Sequence, residues 1–87
     1  MINILNIIEK FIQNMKRDDI VKFAHKNHLN VSDHEIDFVY KFIKSNYQNV
    51  LNNPNSLDIS LYKNEFSQDN YLFLESLINK YKRMIIR

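Results

Sequence analysis

The 87-residue sequence has no cysteine, no glycine and no tryptophan, and only one proline. Without cysteine there is no disulfide, no thiolate metal site and no redox thiol. Without glycine there is no glycine-rich phosphate loop, no dinucleotide fingerprint and no Asn-Gly hairpin. No run approaches the ~18 consecutive apolar residues that a membrane span needs. A strong excess of one charge is also missing. Twelve Lys and Arg face ten Asp and Glu, for a net charge of +2, short of the dense basic stripe of a dedicated nucleic-acid domain.

What is present is ordinary globular material, 45% hydrophobic and 25% charged. The length allows one domain, residues 1–87, which buries only roughly 60% of the surface its unfolded chain exposes. Asn, Ile and Lys dominate with thirteen, twelve and nine copies, a bias that matches AT-rich codons. Residues 2–12 are apolar-rich but broken by Asn3, Asn6, Glu9 and Lys10. No basic segment precedes them and no small-residue cleavage site follows, so they do not read as a signal peptide. A reducing compartment fits the lack of cysteine, and the expected location is cytoplasmic.

Apolar periodicity predicts helices. Over residues 2–14, Ile4, Leu5, Ile7, Ile8, Phe11 and Ile12, continued by Met15, fall in one sector about 160° wide. This is a core-facing helix; its polar face lacks the strong basic character of a membrane-surface helix. A second helix spans about 17–27, with Asp18 and Asp19 at the positive end of the macrodipole and Ile20, Val21, Phe23 and Ala24 as its apolar stripe. Leu29-Asn30-Val31 is the connection, with Asn30 a candidate for the left-handed position glycine usually fills. Ser32-Asp33-His34-Glu35 matches the capping box, so a third helix begins there and is expected to end near Asn46. Ile36, Val39, Tyr40, Ile43 and Tyr47 form its main stripe, while Phe38 and Phe42 form a second. A helix apolar on two faces is central in its domain or touches a partner.

Residues 47–56 read as irregular, punctuated by Pro54. Residues 57–65 are ambiguous: alternation suits a strand, yet no second strand is apparent, and a short helix is the preferred reading. A last helix is capped by Ser67 and runs close to the C-terminus. Phe73, Leu74, Leu77, Ile78, Tyr81, Met84 and Ile85 form its apolar face, with Leu72 and Ile86 as misfits on the polar side.

The chemistry-bearing residues all have simpler structural roles open to them. His25 and His28 are neighbours at one end of a helix and His34 follows the turn, but the spacing differs from a helical zinc pair, and dipole complementarity explains them. Asp18, Asp19, Asp33, Glu35 and Asp37 cluster at helix starts, where capping accounts for carboxylates without catalysis. No catalytic residue, metal site, cofactor or small-molecule substrate is expected. The second and third helices have a helix-turn-helix outline. The acidic start of the would-be recognition helix repels DNA phosphates. Lys80, Lys82, Arg83 and Arg87 are candidate contacts for an anionic partner, although the preferred reading is a solvated face that complements the last turn of the helix.

The stretch Asp18 to Asn52, DDIVKFAHKNHLNVSDHEIDFVYKFIKSNYQNVLN, resembles a family of short helical proteins from Firmicutes catalogued as a domain of unknown function. Asp18, Asp19, Ile20, Val21, Lys22, Phe23 and Ala24 fit its acidic-acidic-apolar-apolar-Lys-aromatic-Ala helix, and Ile36, Tyr40 and Phe42 fit the next. Lys16 stands where the family tends to have a capping Thr. The resemblance implies a helical fold and a bacterial cytoplasmic origin, and implies no activity.

The resulting expectation is an all-α, compact bundle of four to five short helices. Its function is read as a small non-enzymatic protein-interaction domain, self-associating as a homodimer or binding another protein. Phe38, Phe42, Leu72 and Ile86 are the expected interaction surface. The alternative is nucleic-acid binding through the basic C-terminal helix or a degenerate helix-turn-helix. No membrane partner is expected.

Overall fold

The computed structural model describes residues 4–85. Among them are four α-helices, α1 (Ile4–Asn14), α2 (Arg17–Lys26), α3 (Asp33–Asn52) and α4 (Gln68–Ile85), and two 3-10 segments, Pro54–Ser56 and Ile59–Glu65, with no strand. The all-α expectation holds. Helix α3 is the axis: α1, α2 and both 3-10 segments pack on it, and the 3-10 segments in turn carry α4.

Capping sets most of the helix boundaries. Ser32 accepts a hydrogen bond from the Glu35 N–H at 3.2 Å, and the Glu35 carboxylate accepts from the Ser32 N–H at 2.8 Å, the reciprocal box that ties up two otherwise orphaned donors. At α4 the Ser67 hydroxyl accepts from the Asn70 N–H at 3.3 Å. Helix α2 begins differently. Lys16 occupies its N-cap, and the Asp19 carboxylate one turn in accepts from the Lys16 N–H at 2.8 Å.

The α2 to α3 turn corrects one expectation. The left-handed residue is His28, at φ 58°, and not Asn30. The Leu29 N–H donates to the Ala24 carbonyl at 2.9 Å and the His28 N–H to the His25 carbonyl at 3.1 Å. These are the two bonds of a Schellman ending, made here without glycine.

Two further boundaries differ from the sequence reading. Helix α3 continues through residues 47–52, which lack proline or any other helix breaker; the stop comes only before Pro54. Of residues 57–65, Ile59–Glu65 are helical, but as a 3-10 segment kinked at Tyr62. The Asp58 carboxylate caps it through the Ser60 N–H at 3.1 Å.

The core is thin, as the chain length requires. Met15, Ala24, Ile36, Leu57 and Tyr71 are its buried apolar side chains among the described residues. The radius of gyration, 13.1 Å, exceeds the about 12 Å of a fully compact domain this size. The excess reflects an elongated shape, 39 × 25 × 22 Å along the principal axes.

Candidate functional site

Helix α3 presents two apolar faces. On one, Phe38 and Phe42 lie one turn apart. The 3-10 segment crosses them, bringing Tyr62 to 5.5 Å from the Phe38 ring and 5.0 Å from the Phe42 ring. Phe66 meets Phe38 edge-on at 5.5 Å. Four aromatic rings at these separations form a packed cluster, with edge-to-face pairs adding to the area they bury. Phe38 and Phe42, expected at an interaction surface, thus pack against rings of their own chain. Both are partly buried inside the chain's own fold, because the segment whose structure was ambiguous in sequence folds over them.

Leu72 is exposed, as its misfit position implied. It lines a shallow surface hollow with Lys63, Gln68 and Phe66, the last a ring of that cluster. Ile86 and Arg87 lie outside the described residues.

The other face of α3, with Ile36, Val39 and Ile43, forms the floor of a groove of about 290 Å³ between α1, α2 and α4. Phe11, Met15, Ile20, Phe23, Leu74 and Leu77 contribute to its walls. The groove is open on one side. Phe11 is 64% exposed, Phe23 42% and Leu77 41%, and Ile7, one turn before Phe11 on α1, is 53% exposed. Phe23 leans toward α4, with its ring centroid 6.1 Å from that of Phe73. These residues read in sequence as ordinary core positions. One available clue was the 160° width of the α1 stripe, more than a single neighbouring helix covers.

One end of the groove is anchored by a polar node. Glu35, only 7% exposed, accepts from the Ser32 N–H, from the Ser67 N–H at 2.9 Å and from the Asn70 side-chain amide at 3.0 Å. The same Asn70 amide donates to the Asn30 carbonyl at 2.9 Å. One carboxylate thus serves the starts of two helices. Burial pushes its pKa up, but the hydrogen bonds from Ser32, Asn70 and Ser67 outweigh burial and hold it below the ordinary glutamate value. A carboxylate with its acceptor capacity so occupied is a structural anchor, not a poised general acid.

The remaining carboxylates behave as caps and ion pairs. Arg17 bridges Asp37 and Asp33, the latter at 3.1 Å. Its guanidinium hydrogen bond holds the Asp37 carboxyl below the usual aspartate range. His34 pairs with Glu65. Among the described residues no three His, Asp or Glu side chains gather where a metal ion could be held, so His25, His28 and His34 do not converge on one.

The basic set on α4 is dispersed in role. Lys80 and Arg83 are exposed, whereas the Lys82 ammonium donates to the Leu57 carbonyl at 2.6 Å and helps seat α4 on the preceding loop. The Tyr81 hydroxyl is buried without a hydrogen-bond partner among the described residues, and burial raises its pKa. No described helix is long and apolar enough to cross a membrane.

Comparison of the chain with protein-family models, with curated proteins and with solved structures found no match.

Proposed function

We propose that this protein is a non-enzymatic interaction domain whose contact surface is the open groove between α1, α2 and α4. The supporting observation is that Phe11, Phe23 and Leu77 stand exposed around one apolar hollow, with Ile7 exposed one turn before Phe11 on α1. Scattered exposed hydrophobics are normal on a protein surface; a contiguous patch around a hollow marks a contact site. The bacterial cytoplasmic setting implied by the resemblance of residues 18–52 belongs to the same proposal.

The test is site-specific photo-crosslinking in the cells of origin, with the photoreactive residue placed at position 11 or, as a control, at Leu61, which is exposed outside the groove. Position 11 is expected to yield a discrete adduct that disappears when Phe23→Asp is added. Adducts of equal yield at positions 11 and 61, or none at 11, would overturn the proposal.

A further inference from the structure

Resting on the groove as a contact surface, we infer that its occupant is a second copy of this chain, in a two-fold dimer where Phe11 of each copy enters the other's groove. The patch carries both halves of such a contact. Phe11 is a projecting ring, more exposed than buried, and it borders a hollow lined almost wholly by apolar side chains. A two-fold interface requires one patch to be complementary to itself, and a knob beside a hole meets that requirement where a flat or purely concave patch does not.

The sizes agree. An apolar cavity of about 150 Å³ accepts a benzene ring, so 290 Å³ has room for the Phe11 ring with Ile7, its neighbour one turn away. The four exposed side chains leave roughly 350–400 Å² of apolar surface facing water, taking about 150–250 Å² for a whole aromatic. Since interfaces are roughly 57% apolar, that implies about 650 Å² per copy, close to the about 800 Å² per partner of a stable contact. Asp19, the charged residue on the α2 wall, is exposed and accepts from the Lys16 N–H, so its carboxylate can keep its contact with water at the rim of the pair.

Knob and hole are separable by mutation. Phe11→Ala removes the knob without charging the hole, whose wall Phe11 also lines, while Leu77→Asp places a charge in the hole and leaves the knob. Sedimentation equilibrium of the wild-type chain is expected to show a reversible monomer–dimer equilibrium within the range of about 10 µM to 1 mM, where moderate interfaces dissociate. Each variant alone is expected to be monomeric over that range, with wild-type helicity by circular dichroism. Mixed, they are expected to form a heterodimer, because one intact knob then meets one hole that carries no added charge.

A wild-type chain that stays monomeric while position 11 still crosslinks to a different protein would overturn the dimer and leave the groove as a contact surface. A dimer that survives both substitutions would overturn the dimer geometry and the groove reading together. Failure of the mixed variants to pair, with each folded, would overturn the knob-in-hole arrangement. Should Leu77→Asp lose helicity, Leu77→Gln takes its place in the mixture, with the same expected pairing.

Discussion

The two apolar faces of α3, one aromatic and one aliphatic, are opposite in fate. On one, Phe38 and Phe42 are roofed by Tyr62 and Phe66, supplied by the irregular segment that follows α3. On the other, Ile36, Val39 and Ile43 have walls but no roof, and the rim residues Phe11, Phe23 and Leu77 stay exposed. A second stripe on a helix therefore does not by itself announce a partner; a strap from the same chain can close it. The face that lacks a strap is the one left for another molecule.

The largest expected effect is at the node joining the two faces. Glu35→Ala leaves the Ser32 and Ser67 N–H groups and the Asn70 amide without their acceptor, and buried donors left unpaired cost about 1–3 kcal/mol each. A total loss of about 3–4 kcal/mol in urea unfolding is expected, since water reaches part of the site. Glu35→Gln keeps the shape and is expected to lose less. It also separates the pH response. A carboxyl whose pKa is depressed by folding stabilises the fold above its unfolded value and loses that contribution as pH falls through the folded value. Wild-type stability should therefore decline below pH 4.5, the ordinary glutamate value, and the decline should be shallower in Glu35→Gln. The residual slope is expected from Asp37 and Asp58, both also held low, by Arg17 and by the Ser60 hydroxyl.

The next substitutions break the comparison of faces directly. Phe38→Ala opens the roofed cluster and is expected to cost about 2–3 kcal/mol, below the full range for a wholly buried phenylalanine. Phe11→Ala on the unroofed face is expected to change the stability of the monomer by less than about 0.5 kcal/mol. Equal losses at the two positions, read from chemical denaturation at low protein concentration, would mean that the groove is closed in solution.

Two smaller effects carry the opposite sign. Tyr81→Phe removes a buried hydroxyl that has no partner among the described residues, with an expected gain of about 1 kcal/mol. His28→Gly relieves the left-handed backbone at φ 58°. The expected gain is about 0.5–1 kcal/mol, because glycine's extra unfolded-state freedom offsets part of the relief. Both are read as shifts in thermal midpoint.

The helices were legible in sequence wherever a local signal existed. Ser32 with Glu35, and Ser67, marked two helix starts through short-range hydrogen bonds that depend only on neighbours. The end of α3 was placed too early because residues 47–52 carry polar asparagines but no breaker, and composition alone suggested a loop. Neither the roof over Phe38 nor the gap beside Phe11 could be read locally. Both depend on where residues 59–66 and α4 return in space, so one apolar stripe is covered and the other left open. The reach of Glu35 to Ser67 and Asn70, more than 30 positions away, is of the same kind: its capping role was visible and its tertiary role was not.

That shared acceptor also bears on how the molecule comes apart. Fraying of α4 from its start and loosening of the turn before α3 release the same carboxylate, so neither is expected to proceed without the other. Native-state hydrogen exchange at the amides of Ser32 and Ser67 should then report a common opening free energy, a single cooperative unit spanning both ends of the intervening chain.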